Sequence, residues 1–356
     1  MKKLITFVIL FLIIILGIIY FIYGKEFLTI VDEKRVYNVE NIQTISLSTL
    51  NEYIFYNEGI ITYNNQKILF LDYNNNISWV NEDNKFSKQV FVTDNYIFRK
   101  MENTIQVLDK NNQEFIISEI QGDIIDVSRE NDKNYMIVKG SEGKDSLYIM
   151  NSNNEMIVDN KLFEDKIIGV SISDKSEAYV LVTFRFENGT IVNTVYFNLL
   201  DDVELWKTVI DEEIIVNAKV VNNNVVVIGT KNVYYFNTNG KLMWKNSIYN
   251  KILDYEVNKE SHSIYMLYEK DGSAELITYD FEGKVKEIKK LPSNVTKLKV
   301  YEDKVFVYNK ISIYLVHGAK TDKIFEDTEG NIADFTAKGS DIRILSNDKL
   351  IIGRIK

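Results

Sequence analysis

The side chains that could do chemistry are few in this sequence of 356 residues. Cysteine is absent, so disulfides, thiolate metal ligands and cysteine nucleophiles are excluded. Only two histidines occur, which excludes a centre built from several imidazoles. His262, in KESHSIYM, and His317, in YLVHGAK, belong to no triad or zinc spacing and read as turn or strand-end residues. Asp72-x-Asn74-x-Asn76 and Asp109-x-Asn111-x-Gln113 copy the first ligand positions of a calcium loop. Ile77 and Glu114 stand where such a loop needs glycine, and the flanks alternate like strands, so hairpin turns explain both better. Lys284, Lys286, Lys289, Lys290, Lys297 and Lys299 could meet an anionic wall polymer or headgroups. The preferred reading puts Lys284, Lys286 and Lys290 on an outermost strand, where lysine blocks pairing with other chains. Asn188-Gly189-Thr190 and Asn294-Val295-Thr296 match the glycosylation triplet by chance. No catalytic, cofactor-binding or metal-ligating set emerges, and no ligand- or partner-binding residue can be named.

Composition narrows the classes further. With 46% apolar and 26% charged residues the chain is globular, not disordered. A net charge of −9 disfavours nucleic acid as a partner. Residues 27–356 carry 39 basic and 50 acidic side chains, a balance of −11, so this part is no general binder of anionic lipid or polymer. Abundant Asn, Ile, Lys, Tyr and Phe have AT-rich codons and point to a low-GC bacterial genome.

Residues 4–23 form an uncharged run of 20, long enough at 1.5 Å per residue to span a bilayer core of about 30 Å. Lys2 and Lys3 precede it, and Tyr20, Phe21 and Tyr23 suit an interfacial belt. A cleaved signal peptide would have a shorter apolar run and a small-residue cleavage site, and neither is present. The expectation is a single-pass signal anchor at 4–23 in contact with the lipid bilayer. Residues 1–3 would be a cytoplasmic stub, 24–41 a linker with a blade-closing strand, and 42–356 an extracellular domain. A three-residue stub cannot signal, so any sensing would need a partner.

The elements that position everything else are repeats. A hydrophobic start followed by alternation recurs at Ile124, Ile167, Ile214, Ile252, Val295 and Ile332, with more divergent copies near Ile45 and Val90. The first six are separated by 43, 47, 38, 43 and 37 residues, a mean of 41.6. A second mark, an apolar residue then Asp or Asn and a polar turn, recurs at 72, 109, 151, 198, 237 and 280 with the same mean of 41.6. Period-2 alternation and turn residues give about four short strands per unit. Four-stranded units of this length are β-propeller blades.

The hairpin Asn237-Thr238-Asn239-Gly240-Lys241-Leu242-Met243-Trp244 resembles the repeat of quinoprotein-like (PQQ-type) propellers, with Trp79 and Trp206 at matching places. The resemblance implies that each Trp docks on the neighbouring blade. It does not carry the enzyme with it. Quinoprotein dehydrogenases are typically longer and many have vicinal cysteines, so no cofactor is expected here. More broadly the chain is similar to membrane-anchored propeller proteins of low-GC Gram-positive bacteria. Residues 42–356 divided by the period give about 7.6 units. The expectation is an all-β, eight-bladed propeller, with seven blades as the alternative. Its last blade, short of a strand, would be closed by Glu33–Glu40. The functional expectation is a non-enzymatic protein-binding scaffold of the cell envelope whose partner is an envelope protein. The alternative is a binding module for wall glycan or a small ligand at the central channel. The tyrosines at 234, 235, 265 and 268 are expected between blades rather than on a sugar-binding surface.

Overall fold

Alternating apolar and polar residues separated by Asn, Asp and Gly turns can bury one face only by pairing, and the chain pairs with itself throughout. The computed structural model describes residues 36–356 apart from 49–51, 65–66, 83–88, 102–103, 119, 121, 141–142, 154 and 174–176. The expected membrane-spanning helix at 4–23 lies outside the described residues. Among those described, no helix is long and apolar enough to cross a membrane.

Among the described residues, thirty-two strands form eight four-stranded antiparallel sheets, the blades of a propeller, as expected from the period. Seven blades are consecutive meanders: residues 53–82, 89–118, 123–163, 166–211, 215–247, 251–291 and 297–326. Blade 8 takes three strands from 332–355 and its outermost from Val39–Ser46, which pairs antiparallel with Lys349–Ile355. The ring is therefore closed by a strand from the other end of the sequence. That strand begins six residues later than the Glu33–Glu40 segment read for it, and the two share only Val39 and Glu40. The cause lies in the alternation. Val39 packs between blades 7 and 8, and Ile45 and Leu47 pack between blades 8 and 1. Ile45, taken as the start of the first repeat, is thus in the last blade, and blade 1 opens at Tyr53.

Four antiparallel strands return the chain to its starting face, so every innermost strand runs the same way. The face where these strands begin is called lower, and the face where they end is called upper. The upper face carries the first and third turns of each blade. Val39 pairs with Ile355 at the upper face, so residues 36–38 leave the disc there.

The core is divided among the blade interfaces. Blades 4 and 5 share Val180, Phe197, Val227 and Phe236, and blades 5 and 6 share Ile228, Tyr235, Met266 and Tyr268. The expected placement of Tyr234, Tyr235, Tyr265 and Tyr268 between blades holds, and all four are buried. The seam between blades 8 and 1 has the smallest cluster among the described residues, built on Ile60, Leu71 and Leu350. A clasp reinforces blade 8: Tyr37 N–H donates to Asp322 Oδ2 of blade 7 at 2.9 Å, and the Tyr37 ring meets His317 edge-on at 4.6 Å.

The tryptophans fasten blades as the repeat implied. Trp79 Nε1 donates to Lys110 O, Trp206 Nε1 to Thr238 O, and Trp244 Nε1 to Phe281 O, at 3.1, 3.0 and 2.9 Å. Each acceptor is the residue after the Asp or Asn that opens the next blade's upper turn. Those Asp and Asn side chains cap their own turns. Asp72 Oδ1 accepts from the amides of Asn74 and Asn76, and Asn237 Oδ1 from those of Asn239 and Lys241. In blade 4 the turn-opening position falls on Leu199, one residue past the expected Asn198, because Leu199 N–H bonds Val203 O. Asn198 is buried instead.

Candidate functional site

The residues singled out by type do not converge. His262 sits in the turn 259–262 at positive φ, with Nδ1 3.2 Å from Glu260 O and its ring beside Phe281. His317 holds Asp322 at 2.8 Å in the clasp. The Asp72 carboxyl lies below its usual range because the amide and side chain of Asn76 hydrogen-bond to it. Its oxygens are thus spent on the turn, as the hairpin reading required. The lysine run divides. Lys286 is on the outermost strand of blade 6, bonded to Ser261 O and Ser263 Oγ, whereas Lys299 is on the innermost strand of blade 7 and points to Asp334.

Several titrating groups are displaced chiefly by burial. The Tyr135, Tyr179 and Tyr268 hydroxyls are pushed up this way, the first two between blades 3 and 4 and the third between blades 5 and 6. One gathering lies at the channel. Burial raises Glu256, and Lys219 and Lys299 partly oppose it. Burial alone would lower Lys299, but Tyr301 and Asp334 raise it overall. Tyr308 beside them is pushed up to about 12, first by burial. These groups answer one another: Lys299 Nζ binds Asp334 and lies over the Tyr301 and Phe335 rings. Glu130 of blade 3 ties the far side of the channel, meeting Ser171 Oγ at 3.0 Å, Lys219 at 3.6 Å and Lys259 at 3.8 Å. Toward blades 7, 8, 1 and 2 the channel opens at the upper face into a cavity of about 900 Å³.

The lower face carries an apolar arc, for a reason the sequence hides. Five innermost strands carry a β-bulge at the same place: between Ile124 and Asp126, Ile167 and Gly169, Ile215 and Asn217, Ile252 and Asp254, and Ile332 and Asp334. A bulge inserts one unpaired residue and re-aims its side chain. The first residue of each hydrophobic start is core, with Ile124, Ile167 and Ile215 no more than 5% exposed. The next, on the bulge, faces out: Ile125 is 44%, Ile168 36% and Val216 38% exposed. These three belong to consecutive blades at the lower mouth of the channel, with Ile214 beside them at 50%.

Blade 4 adds a projection. Its second and third strands, Ala178–Glu187 and Thr190–Leu199, have ten residues each. Pairing continues through Arg185–Val192, Phe186–Ile191 and Glu187–Thr190, beyond the inner strand's first pair, Lys166–Phe184. Three pairs at about 3.3 Å each reach some 10 Å past the end of the innermost strand, the outermost strand following only as far as Val192–Asp211. Phe186 lies 71% exposed there, set edge-on to Phe184. Asp165 and Glu187 hold Arg185 at 3.2 and 2.7 Å.

The Family of unknown function (DUF5711) has a model that matches residues 31–352, nearly the whole propeller. The chain belongs to this family. No curated protein matches it in sequence. Among solved structures it is similar to BamB from Moraxella catarrhalis, a PQQ-like propeller, at TM-score 0.56 and 10% identity, covering 89% of this chain and 99% of that one. It is similar to the WD40 domain of SCAP from fission yeast at TM-score 0.53 and 9% identity, covering 89% and 97%. It is similar to apo AztD from Citrobacter koseri at TM-score 0.51 and 8% identity, covering 82% and 95%. At such identities the likeness is one of fold.

Proposed function

We propose that this chain is a non-enzymatic, protein-binding scaffold of the cell envelope, held to the membrane through residues 4–23 with the propeller outside. The observation that carries the binding reading is the apolar arc of Ile125, Ile168, Val216 and Ile214 with the projecting Phe186, all on the lower face. Exposed apolar surface gathered on one face of a folded domain marks an interaction site. An exposed bulge position costs burial, and its repetition in adjoining blades gives a partner a continuous apolar surface. The likeness to WD40 and BamB propellers supports the reading through fold alone.

The route of the chain bears on which face would look to the bilayer. Residues 36–38 leave from the upper face, so an anchor at 4–23 would tether that face toward the bilayer. The lower face, with the arc and the blade 4 hairpin, would be turned to whatever lies beyond. The intervening 24–38 span at most about 50 Å when extended.

A photo-crosslinking amino acid placed at 168 or 216 of the full-length protein in intact cells tests this. One protein species should be captured at both positions. It should be lost in Phe186→Asp and missing when the probe sits at 303 on the upper face. Capture of the same species from 303, or of none from 168 and 216, would overturn the reading. Protease added to intact protoplasts should degrade nearly the whole chain, and its survival would reject the orientation.

A further inference from the structure

We propose that the cavity at the upper mouth of the channel binds a small zwitterion of the free-peptide kind, its carboxylate held by Arg343. The cavity has the volume of a small-molecule site, about 900 Å³, at the junction of blades 7, 8, 1 and 2. Arg343 starts from the second strand of blade 8, and its guanidinium lies 4.2 Å from the centre of the Tyr73 ring, in the upper turn of blade 1. This stack uses the face of the guanidinium. Its edge is uncommitted: Nε is buried without a hydrogen-bond partner, and no carboxylate among the described residues pairs with the group. A stack across the seam would be satisfied by either face of a planar cation. It does not account for a buried Nε–H left without an acceptor on a side chain that lines a cavity. Two further cations line the cavity: Lys299 is spent on Asp334 and Phe335 O, and Lys338 stands exposed at the upper end of the innermost strand of blade 8.

The planar guanidinium fork matches a carboxylate or a phosphate. The rim chooses between them. Glu58 and Asp94, both exposed, line the same cavity. They repel a dianion and attract an ammonium group. Asp72 is already engaged by its own turn. Tyr73 and Tyr301, both partly exposed, supply aromatic wall between the basic floor and the acidic rim. A molecule with a carboxylate at one end and an amine at the other satisfies both. This site stands on the face opposite the apolar arc and is independent of the scaffold reading.

The test is calorimetric titration of the full-length protein in mild detergent with the dipeptide Ala-Tyr, its C-terminal amide, its N-acetyl form and inorganic phosphate. Ala-Tyr should bind one to one, the amide at least about tenfold more weakly for want of the charge-assisted pair, and the N-acetyl form several-fold more weakly. Arg343→Lys, which keeps the charge but not the fork, should also weaken Ala-Tyr about tenfold with an unchanged melting temperature. Should that variant melt early, the exposed pair Glu58→Gln and Asp94→Asn decides. It should weaken Ala-Tyr and leave the N-acetyl form unchanged. Equal binding of dipeptide and amide, tighter binding of phosphate, indifference to both sets of substitutions, or no binding of Ala-Tyr at millimolar concentration would each overturn the proposal.

Discussion

Gly283 offers a direct test of how blades are fastened. It has φ of +80° in the upper turn of blade 6, where a Cβ would lie 2.6 Å from Trp244 Cδ2. Gly272, in the lower turn of the same blade, has φ of +73° and nothing within 4 Å of its would-be Cβ. The two glycines therefore carry the same backbone requirement and differ in the tryptophan. Alanine at either position should cost about 1–2 kcal/mol for the left-handed backbone. At 283 the Trp244 ring must also move. That weakens its 2.9 Å bond to Phe281 O, worth about 1 kcal/mol net, and disturbs its stack on Tyr235. Blade 2 limits the penalty: Asn112 occupies the equivalent place at φ of 62°, and Trp79 Nε1 still reaches Lys110 O at 3.1 Å. The expected totals are about 1–2 kcal/mol for Gly272→Ala and about 3 kcal/mol for Gly283→Ala. In a Trp244→Leu background Gly283→Ala should fall back to the Gly272 value, a coupling of about 1–2 kcal/mol. Urea unfolding of the full-length protein followed by far-ultraviolet circular dichroism measures all four quantities. Equal costs at 283 with and without Trp244 would refute the interlock, and the fastening would then reside in the apolar clusters alone.

Other substitutions probe the clasp, the buried caps and the channel. Asp322→Ala should cost about 1–3 kcal/mol in urea unfolding, because Tyr37 N–H and His317 lose their shared acceptor. Burial raises the Asp322 carboxyl, but the bonds from Tyr37 and His317 outweigh it and leave it low. Its contribution should therefore be present above about pH 4 and lost as pH falls through the lowered value, so Asp322→Ala and wild type should converge in strong acid. Glu213→Ala should cost about 3 kcal/mol or more by the same assay. It strips a buried acceptor from Lys231 N–H, Asn232 N–H and the Tyr234 hydroxyl. Glu256 has the opposite sign. Its raised folded pKa means that its charge opposes folding at neutral pH. Glu256→Gln should raise the melting temperature at pH 7 and lose that advantage as pH approaches about 4. A difference independent of pH would show that its burial has no part in stability.

The channel illustrates how far side-chain type can mislead. The two histidines, the Asp-x-Asn-x-Asn run and the lysines at 284–299 drew attention by chemistry. Each is now placed by local geometry: a positive-φ turn, a capped hairpin, a strand edge and an ion pair. Arg343 and Phe186, which the proposals need most, carried no mark. An arginine in an alternating strand has the same neighbours in sequence whether its tip meets solvent, a carboxylate or an empty cavity.

What the sequence determined by itself is what repeats locally. A period of 41.6 residues, alternation within each unit and Asp or Asn at the turns together specify four-stranded blades and narrow their number to eight or seven. The docking of Trp244 on the next blade was implied by the resemblance of its hairpin to the PQQ-type repeat, and its acceptor lies 37 residues along the chain. The tertiary structure alone decided the rest. The closing strand became Val39–Ser46, because its partner, Lys349–Ile355, lies some 300 residues away and only ring closure selects between neighbouring stretches of similar alternation. The hydrophobic pairs Ile124-Ile125 and Ile167-Ile168 read as one apolar start, yet one member is core and the other is surface. A single extra residue in a strand reverses which side a side chain takes, and pattern alone cannot show that residue. Arg343 meets Tyr73 for the same reason that Tyr37 meets Asp322: both pairs join distant parts of the chain that the closed ring brings together.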